Sequence, residues 1–216
     1  MTTVDDIRGK GRNKLNVSVD TVSKKSICNI TNKDNLCLFR AIVVGATYLQ
    51  KGKIDAKIFK RVSQAIRTTN RQRDKTLELL SNTIKSVPPN GCGFQELEKI
   101  QNYFINNEIE IAIVVYEKSF FGHSIPPIFD GHKMFQNNKI STETINLLYD
   151  ERDKHYDTIL NLVGAGGDRY FCWQCNKAYR TLNGHRCNHS CARCFESPNC
   201  DNTEPKIVCN KCNREF

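Results

Sequence analysis

Asp34-Asn35-Leu36-Cys37-Leu38-Phe39-Arg40-Ala41 is the stretch on which the reading of this chain turns. It reads as a tight polar turn followed by a cysteine in the first turn of a helix. Leu38, Ala41, Ile42, Gly45 and Leu49 recur at helical spacing, which predicts one apolar, buried face. Free N–H groups and the positive end of the dipole favour an anion at a helix start, so a thiolate at Cys37 is stabilised there. That is one way to make cysteine a nucleophile. The competing reading is a small buried apolar side chain, the commoner fate of a cysteine.

A nucleophilic cysteine needs a base. His155-Tyr156-Asp157 opens the late apolar segment 158–163. In a strand, side chains two apart share a face, so His155 and Asp157 would stand together. A base beside a carboxylate fits an imidazole whose tautomer a third group sets. Asp-x-x-Cys-Leu-Phe-Arg-Ala with a late His-aromatic-Asp resembles the ovarian tumour (OTU) family of papain-like cysteine proteases, many of which cleave ubiquitin from its targets. The resemblance implies Cys37 as nucleophile, His155 as base and Asp157 as its orienter. It also implies an oxyanion hole formed by the turn at Asp34, with the Cys37 amide as second donor. The family often has glycine after the aspartate; here Asn35 stands there, a residue that tolerates the same unusual backbone angles.

The 216 residues suit one domain plus a small satellite. With 39% hydrophobic and 25% charged residues the composition is that of a soluble globular protein, and no apolar run approaches the roughly 20 residues of a membrane span. Of eleven cysteines, eight lie from Cys172 onward. Six of them form Cys-x-x-Cys pairs with histidines nearby. Residues 1–25 are polar and basic with no apolar core, so they are no secretory signal. Metal binding in a reducing, cytoplasmic or nuclear compartment is expected. The formal charge is +9. Nine basic residues between Lys51 and Lys75 face only Asp55 and Asp74, a pattern that serves a solvated surface or a nucleic-acid contact.

In chain order, 1–25 shows no period and is expected to be a flexible basic arm. Residues 26–30 read as a short strand, with Cys28 as core packing. Asp55 can cap a helix to about Thr69 with Ile58, Val62, Ala65 and Ile66 inward. A third helix is expected over 75–86 on Leu77, Leu80 and Ile84. Pro88-Pro89-Asn90-Gly91 breaks the chain, and Phe94, Leu97, Ile100 and Phe104 mark a fourth helix. Cys92, at that helix start, is a formal rival nucleophile. Residues 109–116 suit a central strand. Residues 120–136 read as loop, with His123 and His132 as ordinary loop histidines, although Asp130 keeps His132 open as a rival base. Residues 144–149 and 155–163 form a hairpin. Helices first and strands later make an α+β, papain-like domain over 26–165. Gly164-Ala165-Gly166-Gly167 reads as the hinge that ends it.

A zinc-binding region is expected over 168–216. Cys172-x2-Cys175, then His185 and Cys187, is a compact tetrahedral zinc pattern, with His189 the alternative fourth ligand. Cys191, Cys194, Cys209 and Cys212 are the favoured ligands of a second zinc, with Cys200 in reserve. The last eight residues look like the first half of a finger completed downstream, so the sequence is expected to be a fragment. From Asp34 to Phe216 the order of motifs is similar to a region upstream of the protein-primed family B DNA polymerases of Maverick/Polinton elements and related viruses. Carrying this likeness are residues 32–37, 40–44 and 95–97, His155-Tyr156-Asp157, and residues 170–194. The resemblance implies an OTU-like module with zinc fingers in a mobile-element or viral replication protein. No polymerase motif occurs in these residues. Two functions are expected to compete: a thiol (iso)peptidase acting on a ubiquitin-like C-terminus, and a non-catalytic module binding DNA or protein.

Overall fold

The computed structural model describes residues 8–9, 25–181 (save 85, 120, 136–140 and 174) and 185. Arg8–Gly9 forms a two-residue strand, β1, inside the stretch expected to be an unstructured arm, and Ile27–Cys28 forms β2. The rest of that arm lies outside the described residues. Helix α1, Cys37–Tyr48, starts at the cysteine as the sequence predicts. It is buried on more than one face: every residue from Cys37 to Gly45 is inside. A helix apolar nearly all round belongs at the centre of a core. Gly45 sets its distance from the sheet, because a Cβ there would come within 2.5 Å of Ile145 Cγ2.

Helix α2, Ala56–Ala65, is capped as predicted: the Asp55 carboxylate accepts the Lys57 and Ile58 N–H groups at 2.9 and 3.1 Å. Its predicted stripe is only half right. Ile66, just past the helix, is buried, but Ile58 and Val62 are 54% and 36% exposed. The helix rests instead on Phe59, edge-on to Tyr48, and on buried Ser63. That line is rotated by one residue from the apolar one. Helix α3, Thr69–Thr83, begins six residues before the expected start. It turns Gln72 and Thr76 inward and leaves Leu77 43% exposed.

Strand β3, Cys92–Gly93, leads into helix α4, Phe94–Asn106, which buries Leu97, Ile100 and Phe104 as predicted. Glu96 caps it by accepting the Gly93 N–H at 2.8 Å. Strand β4, Ile111–Glu117, is buried along its interior. The segment expected to be loop carries β5, Phe129–Asp130, and a 3-10 turn, Gly131–Met134. Strands β6, Glu143–Asp150, and β7, His155–Ile159, form the predicted hairpin. The glycines read as a hinge form a short helix, α5, Leu162–Gly166, closed by Gly167 at φ 78°. Asn161 accepts the Gly164 N–H at 2.9 Å to start it, and Leu162 and Ala165 are buried. Strands β8, Tyr170–Cys172, and β9, Lys177–Tyr179, close a final hairpin.

The result is a mixed α+β fold. Its five-stranded sheet runs β2-β7-β6-β4-β5, antiparallel except for the parallel β4–β6 pair. Helices α1, α3 and α4 share the main core with Ile113, Val115, Ile145, Leu147, Tyr149 and Tyr156 on one sheet face. On the other, Val114, Tyr116, Leu148 and Ile159 pack against Leu162 and Phe171. The cysteine-bearing hairpin is thereby docked on the sheet through Phe171. Among the described residues no helix is long and apolar enough to cross a membrane.

Candidate active site and metal centre

The turn before α1 is organised by the Asp34 carboxylate. Its Oδ1 accepts the Leu36 N–H at 3.2 Å and the Asn32 side-chain amide at 2.7 Å, while Oδ2 takes Arg40 Nη2 at 2.6 Å. Arg40 is a helix residue with 3% of its side chain exposed. Burial pushes the Asp34 carboxyl up, but the bonds from Arg40, Asn32 and Leu36 outweigh it and hold the group below its ordinary value. Asp34 is a fixed anion and the brace of the turn, not a proton carrier. Asn35 is not among the residues with positive φ, so it does not replace glycine by its backbone angle. Its side-chain amide instead donates to the Pro89 carbonyl at 2.8 Å, tying this turn to the one that carries Gly91 and Cys92.

Cys37 is fully buried in the first turn of α1, which has no side-chain cap and no acidic residue there. The positive end of the dipole is therefore not neutralised from within its own first turn. Strand β7 lies along α1, and Thr158 Oγ1 donates to the Ala41 carbonyl at 2.8 Å. Within β7, Tyr156 turns toward the helices and the Cys37 thiol. His155 and Asp157 share a side, as predicted, and both reach the backbone of Ile30. His155 Nε2 lies 2.8 Å from the Ile30 carbonyl, and Asp157 Oδ1 accepts the Ile30 N–H at 2.8 Å. A carbonyl only accepts, so Nε2 is the donor in this contact, and in the neutral form of the ring the lone pair lies on Nδ1. Nε2 stands 3.8 Å from Asp157 Oδ1, beyond hydrogen-bond length. Those two atoms act together through the Ile30 peptide.

The rivals fare differently. Cys92 is buried on β3 beside Tyr156 and the main core. Cys28 is core packing as expected, and burial pushes its thiol up to about 11. Asp130 accepts the backbone N–H of His132 at 3.2 Å, while the His132 ring contacts Ser141 and Thr144. Asp130 thus serves the 3-10 turn through the His132 backbone. Sequence reading missed Asn32, Tyr156 and Gly9 as parts of this site. Only the glycine of Arg8-Gly9-Lys10-Gly11 hinted at a close approach.

At the far end, Cys172 and Cys175 flank the β8–β9 turn, where Asn176 takes φ 55°. Their sulfurs and one His185 nitrogen all lie within 4.8 Å of one another, and Cys175 Sγ is 3.1 Å from His185 Nε2. Two soft thiolates and an imidazole on a tight turn are zinc donors, and they could hold a metal ion. Burial, with Lys177 adding to it, lowers the His185 pKa and so favours the neutral imidazole that ligates. Cys187, His189, Cys191, Cys194, Cys200, Cys209 and Cys212 lie outside the described residues. Comparison of the chain with protein-family models, with curated proteins and with solved structures gave no match.

Proposed function

We propose that this chain is an OTU-like thiol peptidase of papain-like architecture, acting on the C-terminal carbonyl of a ubiquitin-like protein. The observation that supports it most is the His155 tautomer. Nε2 is tied to Ile30 as a donor, so Nδ1 is the basic nitrogen, on a strand packed against the helix that Cys37 begins. In the proposed reaction His155 Nδ1 takes the Cys37 proton and the thiolate attacks the substrate carbonyl. The carbonyl oxygen becomes an oxyanion held by the Cys37 amide and the Asp34 turn. Collapse expels the amine with the proton from His155, and water then releases the acyl group from sulfur. Asp157 and Ile30 together keep the imidazole in place. Zinc, held by Cys172, Cys175 and His185 with a fourth ligand, would fix the terminal hairpin and take no part in the chemistry.

A ubiquitin probe with a C-terminal electrophile tests this. The protein should form a covalent adduct, and Cys37→Ala or His155→Ala should each abolish it while the far-ultraviolet circular dichroism stays native. No adduct from folded, zinc-loaded protein, either whole or lacking residues 1–12, would reject the peptidase. A second reading, a DNA- or protein-binding module of a family B polymerase or other replication protein, rests on Ile58, Val62 and Leu77 lying exposed among the basic residues of 51–75. DNA binding there should weaken steeply with salt; salt-independent association would point to a protein partner.

A further inference from the structure

Strand β1 lies directly on the Cys37 thiol. Arg8 pairs with Gly93 and Gly9 with Cys92, antiparallel. Gly9 is buried, and a Cβ on it would come within 2.6 Å of Cys37 Sγ and 2.5 Å of Tyr156 Cδ2. Gly91, at φ 86°, faces the Gly9 carbonyl so closely that any side chain there would strike it. Gly9 on β1 and Gly91, just before β3, are thus pressed together, with Gly9 against the sulfur. The Tyr156 ring lies against Gly9, and among the described residues its buried hydroxyl has no hydrogen-bond partner, a cost a core does not carry without reason. The edge of β3 that β1 occupies is also the backbone on which an incoming extended peptide would pair beside Cys37.

We infer that Arg8–Gly9 is an occluding strand acting in cis: it fills the peptide groove along Cys92–Gly93 and shields the Cys37 thiol until it is displaced. As an inhibitory device it rests on Cys37 being the reacting thiol proposed above. As a cover it does not. The chain's own glycine is what lets the cover seat, since any side chain at position 9 meets a sulfur and a buried ring.

Iodoacetamide alkylation of the native full chain, mapped residue by residue by mass spectrometry, tests it without ubiquitin and without His155. Cys37 in Gly9→Val should react about tenfold faster or more than in the parent protein, as expected when a local opening becomes the dominant state. A chain lacking residues 1–12 should behave alike. A peptide of residues 4–12 should restore protection to the shortened chain, and the same peptide with Gly9→Val should not. Cys28, buried in the core, reports folding and should stay slow throughout. An unchanged Cys37 rate in both variants would overturn the inference. So would a parallel rise of Cys28 in both, which would make β1 a core strand. Fast alkylation with no ubiquitin adduct would reject the peptidase and keep the cover; equal adduct rates in parent and Gly9→Val would do the reverse.

Discussion

Asp34→Ala should lower the unfolding free energy by about 3 kcal/mol at neutral pH, the low end for breaking a buried ion pair from one side. The reason is Arg40. Its guanidinium is 3% exposed and its bond to Asp34 is 2.6 Å long, so removing the carboxylate takes from a buried charge the anion that it faces. Asp34 itself is 40% exposed, which keeps the loss toward the low end. Removing both charges with Asp34→Ala/Arg40→Met should return much of the loss, because the buried guanidinium then goes with its carboxylate. The acid limb gives a second signature. The folded-state pKa of Asp34 is depressed, so its contribution is present above the unfolded value near 3.9 and is lost as pH falls through the folded value. Asp150, depressed by Lys118 at 2.6 Å against its own burial, adds a component of the same sign. Urea unfolding at pH 7 and pH 3 should therefore show a smaller acid loss for Asp34→Ala than for the parent. Equal stability at pH 7 would mean that Arg40 has another anion and that the turn does not depend on Asp34.

What the sequence could and could not reveal about this turn has a physical cause. Local chemistry was legible: the cysteine at a helix start, the Asp55 cap, the apolar stripe of α4, the β-branched run of β4 and the β6–β7 hairpin are all set by nearest neighbours. Partnership was not. Ile58 and Val62 have the right period for an inward face, but period does not say which of two adjacent lines a neighbouring helix will cover. Phe59 and Ser63 were covered instead. Gln101 illustrates the same limit. Between the apolar residues of α4 it is fully buried, and it completes β4 by accepting the Ile113 N–H and donating to the Ile111 carbonyl. Of the two-residue strands, β2 lies in a stretch that reads as a strand, whereas β1, β3 and β5 exist through their pairing and no window of sequence displays them. The glycine run became a helix because Asn161 caps it and Phe171 covers it, not because glycine favours helices. In the site, the paired faces of His155 and Asp157 followed from alternation. That both would reach the Ile30 peptide could not, since Ile30 is 125 residues from His155.

If Cys172, Cys175 and His185 hold zinc as proposed, its removal should have the largest effect of any single change, because apparent binding free energies of structural zinc in small fingers are about 10–16 kcal/mol at neutral pH. The hairpin they tie is short. It has three residues in each strand, and its main apolar anchor is Phe171, set against Tyr116, Phe121 and Leu162. An isolated two-stranded hairpin is marginal in water, so without metal the anchor alone must hold it. A strong chelator, or Cys175→Ser, should free the remaining thiols for titration. It should also change the emission of Trp173, the chain's only tryptophan, which sits 64% exposed in the turn between the two cysteines. Cobalt in place of zinc should give the visible bands of a tetrahedral thiolate site, and His185→Ala should weaken them. Acid should release the metal as protons reclaim the sulfurs, since thiolate is the ligating form. His185 should not lead that release, because burial and Lys177 hold its pKa down and keep the imidazole neutral to lower pH. The main core on the opposite sheet face, with Cys37 and Tyr156, should keep its protection through all of this. A chelated protein whose hairpin thiols stay unreactive would show that packing on the sheet, not metal, closes the hairpin.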